Sequence, residues 1–258
     1  MTLQSRQSAI AVKRSPGKNA FCPQTAHKIR RCICKQKILK EVIMFTVIRF
    51  ILVAISGIAW SAVYIDSIRL GFKQKTYCMP LFALGLNICW EGIYSCTDIF
   101  IRNDINVQAI ANAAWFLLDI VILITYFKFA AQECKTETER RFFIPWTILA
   151  LLTCLVLQIL FIAEFGDTNA EIYSAFLQNI AMSLCYLYML RSRSSSRGQS
   201  LLIAVSKCLG TLTPTIIGFM EDNMFIIVTG VICFIFDVIY IISLSGVIRS
   251  EKLKEAAA

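Results

Sequence analysis

The sequence predicts an all-α polytopic membrane protein with seven transmembrane helices in one bundle. Of its 258 residues, 57% are hydrophobic and only 17% are charged, and the mean hydropathy is +0.64. A soluble domain of this length would carry more charge. The apolar residues form long blocks, each close to the roughly 20 residues that cross hydrocarbon as a helix. No block shows the alternation of a β-barrel strand, so helices must satisfy the backbone in lipid.

The seven predicted spans follow one another with short polar connections, which leave no room for a second globular domain. Residues 44–250 are therefore predicted to form one membrane domain, and residues 251–258 a short tail. We place the spans near residues 45–65, 77–99, 107–130, 143–165, 171–190, 200–220 and 224–245.

The first 43 residues differ in composition from the rest of the chain. They contain ten Lys and Arg against one acid, Glu41, whereas residues 44–258 hold 16 residues of each sign. The whole net charge of +9 thus belongs to residues 1–43. We expect this stretch to be a disordered or dispensable extension, because Met44 stands immediately before the first span. The alternative is a genuine head that is removed or folds back on the membrane surface.

The basic residues of the connections predict the orientation of the bundle. One face carries the first, third and fifth connections and the C-terminal tail, with twelve Lys and Arg between them, whereas the opposite connections have Arg102 alone. The positive-inside rule then puts the C-terminus in the cytosol, in an integral membrane protein that we place in the endoplasmic reticulum.

Glu91 is the most informative residue, because it lies well inside the second predicted span. Burying an ionised carboxylate in hydrocarbon costs several kcal/mol, so an acid in a membrane span indicates a functional site. Asn87 and Tyr94 lie four residues before and three residues after Glu91, and therefore share its helix face, with Trp90 beside them. The alternative is an acid that links two helices by a hydrogen bond.

Two further acids are predicted at a similar depth. Asp119 follows Asn112 and Trp115 on one face of the third span, and Asp237 precedes Tyr240 in the seventh. Some of the three acids should carry a proton at neutral pH, because burial disfavours the charged form. Lys207 in the sixth span either extends to the interface or neutralises one of them.

These residues by themselves leave several functions open. A protonated acid among aromatic rings fits chemistry through carbocations, since ring faces stabilise cations. A small proton-coupled transporter would also bury acids, and the irregular sixth span would supply its site. A seven-span receptor is a third class, although the seventh span lacks the lysine of a retinal protein. His27 is the only histidine, so the spans offer no histidine to a metal or haem.

Five ordered sequence elements resemble the Pyr4-like integral-membrane terpene cyclases of fungal meroterpenoid and indole diterpene pathways. They run from about residue 70 to residue 245 and leave residues 1–43 outside. The elements are Lys75-Thr-Tyr-Cys-Met79 with Asn87-Ile-Cys-Trp-Glu91-Gly-Ile-Tyr94, Trp115-Phe-Leu-Leu-Asp119, Arg197-Gly-Gln-Ser200, Lys207-Cys-Leu-Gly-Thr211 and Phe236-Asp-Val-Ile-Tyr240.

The resemblance implies cyclisation of a prenyl chain, often epoxidised, on a non-terpenoid group. It implies Glu91 and Asp237 as the essential acids, with no metal and no cofactor, because the reaction begins by protonation. Substrate-binding or supporting roles are expected for Asn87, Trp90, Tyr94, Trp115, Asp119, Lys207 and Tyr240. The expected partners are the lipid bilayer and a prenylated substrate, supplied by a prenyltransferase and an epoxidase of the same pathway, and no nucleic acid is expected.

Overall fold

The computed structural model describes residues 23–257, and the chain divides into two compact units, residues 1–47 and 48–258. Residues 23–43 of the basic extension are helical, while its first 22 residues lie outside the described part, so its dispensability remains a prediction. Every interaction discussed below lies within the second unit. The helices are α1 (Pro23–Gln74), α2 (Leu81–Cys96), α3 (Val107–Phe129), α4 (Glu137–Arg193), α5 (Leu201–Met220) and α6 (Met224–Ala257).

The described residues contain helices and no strands, as the sequence predicted. Five of the helices, α1, α3, α4, α5 and α6, are long and apolar enough to cross a membrane. The 16-residue α2 is shorter, although a π-helical turn at Thr97–Ile101 extends it. The number of crossings is therefore not fixed by helix length and composition.

The 57-residue helix α4 is folded back on itself at Gly166. This residue has φ 71° and ψ 158°, a backbone conformation that only glycine adopts without strain. Gln158 and Gln178 stand 20 residues apart, about 30 Å along a straight helix, yet their side chains form a hydrogen bond of 3.0 Å. The two halves of α4 therefore run alongside each other and correspond to the predicted spans 143–165 and 171–190.

Helix α5 is continuous, in contrast to the irregular sixth span that the sequence suggested. Pro214 lacks the N–H that would bond the carbonyl of Gly210 one turn earlier. The hydroxyl of Ser56 on α1 donates to that carbonyl at 2.7 Å. A Cβ at Gly210 would lie 2.8 Å from Nε1 of Trp60, so the glycine lets α1 approach α5 closely.

Contacts between the connections show which of them share an end of the bundle. Arg193, at the end of α4, forms an ion pair with Glu133 at 2.8 Å and donates to the hydroxyl of Thr76 at 3.1 Å. Three connections therefore meet at one end. At a separate place Arg102 forms ion pairs with Asp98 at 2.7 Å and with Asp167 at 3.5 Å.

Candidate active site

A buried cluster of polar side chains surrounds Glu91 where α1, α2 and α3 meet. The hydroxyl of Tyr64 donates to Oε1 of Glu91. The amide nitrogen of Asn87 shares its two N–H groups among three acceptors, namely the Tyr64 oxygen, Oε1 of Glu91 at 3.1 Å and Oδ2 of Asp119 at 3.0 Å. Each of the four side chains is at most 4% exposed. One amide nitrogen thus holds two carboxyl groups together inside the bundle.

The position of Asn87 is fixed by helix α4. Its side-chain oxygen accepts a hydrogen bond of 3.3 Å from the amide of Gln178. Gln178 in turn accepts a bond from Gln158, which also donates to the backbone oxygen of Leu86 at 3.4 Å. This chain of amides aims the Asn87 nitrogen at the acids, because its oxygen is already occupied.

Each acid of the cluster keeps one oxygen free of hydrogen bonds to the described residues. These atoms are Oε2 of Glu91 and Oδ1 of Asp119, and both are buried. Within the described part of the chain, no Lys, Arg or His forms an ion pair with either group. Two neighbouring carboxyl groups without a cation cannot both ionise in a low dielectric, so the pair is suited to hold a transferable proton.

Asp237 lies in a different electrostatic environment. The ammonium group of Lys207 donates to Oδ1 of Asp237 at 2.8 Å and to the hydroxyl of Ser183 at 2.7 Å. The same hydroxyl donates to Oδ1 at 2.8 Å. Lys207 is fully buried and Asp237 is 1% exposed, so of the two interpretations of Lys207 the geometry selects neutralisation of an acid.

The aromatic residues predicted near the acids hold helices together. The ring of Trp115 stacks on Tyr64 with centroids 6.0 Å apart, and its N–H donates to Ser61 at 3.1 Å. The N–H of Trp90 donates to the backbone oxygen of Glu171 at 3.0 Å.

The two tyrosines from the predicted set are buried. Tyr94 shows no exposure and lies 5.2 Å from the ring of Trp90. The hydroxyl of Tyr240 donates to the side chain of Gln199 at 3.0 Å, and its ring contacts Tyr186 at 5.5 Å. The hydroxyl of Tyr240 is therefore occupied by Gln199, while its ring packs on Tyr186.

Two cavities lie away from the acids, next to the start of α2 and the two ends of α4. Their volumes are about 500 and 470 Å³, and both are lined by Tyr77, Tyr126 and Trp146. The lining of neither cavity includes Glu91, Asp119 or Asp237.

Sequence reasoning did not single out Tyr64 or Ser183. A tyrosine in an apolar span is usually interpreted as a packing residue. A serine in a helix often forms a hydrogen bond to the backbone of its own helix, so its presence does not indicate a site. Oγ of Ser183 also lies 2.9 Å from the backbone oxygen of Asn179 one turn earlier, which is the alternative acceptor for its single proton. A partial signal existed for Tyr64, since Trp60 and Ser61 place polar atoms within one turn of it.

The Arg197–Ser200 element ties the connection between α4 and α5 to the rest of the fold. Arg197 donates to the backbone oxygen of Lys75 at 3.0 Å, and Ser200 caps α5 by accepting from the N–H of Ile203 at 3.1 Å. Gly198 has φ +71°, and a Cβ there would lie 2.8 Å from the Tyr77 oxygen. Gly198 and Ser200 of this element therefore have structural roles.

The fold and the site define a helical integral membrane protein with buried carboxyl groups at its core. The chain belongs to the Pyr4-like transmembrane terpene cyclases, since the model of that family matches residues 36–250. The match begins inside the basic extension and covers every residue of both acid clusters.

Two of the three curated relatives that follow are named terpene cyclases, and the other is named a synthase. The chain is 27% identical over 208 residues to the terpene cyclase pyr4 of Aspergillus fumigatus, in an alignment that covers 76% of this chain and 85% of that protein. It is 30% identical over 161 residues to the asnovolin H synthase nvfL of Aspergillus novofumigatus, covering 60% and 63%. It is 28% identical over 163 residues to the Pyr4-family terpene cyclase mfmH of Annulohypoxylon moriforme, covering 62% and 66%. No solved structure matches the chain.

Proposed function

We propose that this protein is a membrane-bound cyclase that closes rings on a prenyl chain attached to a non-terpenoid group, and that the reaction begins by protonation. The observation that carries the proposal is the pair of buried carboxyl groups, Glu91 and Asp119, held by one amide without a cation. Membership of the cyclase family supplies the reaction class. Substrates that carry a terminal epoxide fit best, because a carboxylic acid protonates an epoxide oxygen readily.

In the first step Glu91 acts as the general acid. The proton passes from Glu91 to the epoxide oxygen, the C–O bond breaks, and an internal double bond attacks the carbon that is left electron-deficient. Tyr64 and Asn87 stabilise the resulting carboxylate, because their hydrogen bonds to Oε1 strengthen as the charge develops. Each further ring closes through a tertiary cation while the buried site excludes water.

The proposal includes seven membrane crossings, with the C-terminus in the cytosol. Two crossings come from the halves of α4, which run side by side, and one from α2 with its π-helical extension. The Arg193 contacts support this arrangement, since they join the first, third and fifth connections, and two crossings between each connection and the next would place all three at the same end. The excess of basic residues in those connections supports a cytosolic face, and the endoplasmic reticulum is the membrane we propose.

The test uses membranes from a host that lacks related enzymes and expresses the full chain. They are incubated with an aromatic compound that carries a farnesyl chain with a terminal epoxide. The expected result is a cyclic product of unchanged mass, absent from membranes with Glu91→Gln at equal protein level. Unchanged substrate in the presence of the wild-type protein, across several prenyl lengths and aromatic groups, would contradict the proposal.

A further inference from the structure

Lys207, Ser183 and Asp237 form a closed triangle of hydrogen bonds inside the bundle. The distances are 2.7 Å from Lys207 to Ser183, 2.8 Å from Lys207 to Asp237 and 2.8 Å from Ser183 to Asp237. The three side chains come from α5, α4 and α6, and none is more than 1% exposed. The triangle is therefore shielded from bulk solvent.

The triangle fixes the charge of Asp237. Among the described residues, Asp237 is the only acid that forms an ion pair with Lys207. Protonating Asp237 would leave a buried ammonium group without a counter-charge, which is costly in a low dielectric. Glu91 and Asp119 carry no such constraint, because the groups that bind them are a neutral amide and a phenol. The two acid clusters thus differ in the presence of a cation.

One oxygen of Asp237 stays free. Both Lys207 and Ser183 bind Oδ1, whereas Oδ2 is buried and accepts no hydrogen bond from the described residues. The lysine therefore sets the charge while leaving a carboxylate oxygen available as an acceptor. A bidentate pair would have occupied both oxygens.

Among the described residues, Lys207 is the only charged group that forms an ion pair with Asp237. The titratable groups that interact with Asp237 include the thiols of Cys208 on α5 and Cys233 on α6 and the phenol of Tyr240, whose hydroxyl is held by Gln199. From α4 the phenol of Tyr186 contacts the ring of Tyr240. Both phenols belong to the same buried cluster as Tyr64, so the two acid sites border one aromatic core.

We propose that Lys207 is a positioning residue that keeps Asp237 as a carboxylate, and that Oδ2 of Asp237 ends the cyclisation by accepting a proton. The inference rests on the proposed function. In the closing step Oδ2 takes a proton from the carbon next to the last cation, and the electrons of that C–H bond form the alkene. One proton leaves Glu91 and one arrives at Asp237, so the product is an isomer of the substrate. Both groups return to their first state by exchange with solvent after product release.

The test compares Lys207→Met with Lys128→Met in full-length protein in membranes. Lys128 lies near the end of α3 and is exposed, so its loss is a matched removal of charge outside the site. With Lys207→Met, substrate consumption should continue while the final alkene product falls about a hundredfold relative to wild type. Isomeric alkenes and alcohols from water capture should replace it.

A second measurement does not depend on activity. Infrared difference spectra of purified wild-type and Asp237→Asn protein, labelled at the aspartate carboxyls, report whether Asp237 carries a proton. The expected difference is the loss of a carboxylate band, not of a carboxylic acid carbonyl band. Loss of a carbonyl band would overturn the proposal even if Lys207→Met fails to accumulate.

An unchanged product pattern in Lys207→Met, or complete loss of substrate consumption, would also overturn it. If the wild-type protein converts no substrate, the proposed function fails while the spectra still decide the charge of Asp237.

Discussion

Tyr64 on α1 donates a hydrogen bond to the carboxyl of Glu91 on α2, and both side chains are only 2% exposed. The phenol also accepts a bond from Asn87, so its proton is directed towards Glu91. A phenol placed in this way stabilises the charged form of the acid more than the neutral form. Tyr64 therefore acts on the step in which Glu91 loses its proton.

Replacing Tyr64 by Phe should lower kcat about ten- to a hundredfold with little change in KM. The variant removes one hydrogen bond to a developing charge, which is worth about 1.5–3 kcal/mol, and keeps the ring that stacks on Trp115. Initial rates with the epoxide substrate measure the effect. Tyr173→Phe is the control, since the ring of Tyr173 contacts those of Phe165 and Phe225 and its hydroxyl takes no part in the hydrogen bonds described around Glu91. Equal rates for both variants would remove Tyr64 from the mechanism.

The three buried acids should differ in their response to neutral replacement. Glu91→Gln and Asp237→Asn are each expected to abolish formation of the wild-type product while the protein still accumulates in membranes, the first because the reaction does not start and the second because it does not end in the same alkene. Asp119→Asn should be milder, because the proton donor is retained. Product yield per amount of membrane protein measures the order. A loss with Asp119→Asn as complete as that with Glu91→Gln would make Asp119 the donor instead.

Activity should survive chelation and need no added magnesium. The sequence has no Asp-Asp-x-x-Asp run that would hold magnesium on a diphosphate, and the proposed step transfers a proton from a carboxyl group. The measurement compares turnover before and after EDTA treatment of the membranes. Activity that disappears with EDTA and returns with a divalent ion would contradict initiation by protonation.

Gly166→Ala should destabilise the fold, whereas Gly57→Ala should not. At φ 71° and ψ 158° an alanine is strained by about 1–3 kcal/mol, although nothing lies within 4 Å of its Cβ. Gly57 also has free space around it but lies inside helix α1, where alanine is favoured by up to about 1 kcal/mol. Thermal unfolding in detergent should show Tm shifts of opposite sign. Equal shifts would mean that the turn in α4 tolerates other residues.

The thiol of Cys134 offers a test of orientation. It lies in the third connection, which the proposal places in the cytosol, so an impermeant maleimide should label it in sealed microsomes. Burial and the nearby Glu139 carboxylate raise the pKa of the Cys134 thiol, so labelling should accelerate as the pH rises above neutral. Cys134→Ser is the control for other thiols. Asp104→Cys should label only after the vesicles are opened, and the reverse pattern would invert the topology.

The sequence predicted the helical class and the common face of Asn87, Glu91 and Tyr94, because hydrophobic blocks and helical spacing are local properties. The joining of Glu91 to Asp119 and of Asp237 to Lys207 depends on how helices pack, which spacing along one helix does not contain. Family resemblance identified the same residues, yet without saying which acid has a cation beside it.

The residues that escaped prediction share one property. Tyr64, Gln158 and Ser183 are ordinary residues for a membrane helix, and only their partners on other helices give them a role. A connection between two spans was expected near Gly166. Its compactness was not expected, since in the structure a single glycine with positive φ is enough to reverse the chain.

The hydrogen bond between Tyr240 and Gln199 has a consequence for anyone who wishes to redesign the ring pattern of the product. Gln199 belongs to a connection at the end of the bundle, and Tyr240 stands one helical turn from Asp237. The orientation of an aromatic ring beside the acid is thus set by a buried residue of a connection, not by a residue of a span. Libraries confined to the helix residues around the acids would miss this control, and the loop between α4 and α5 belongs among the positions to vary.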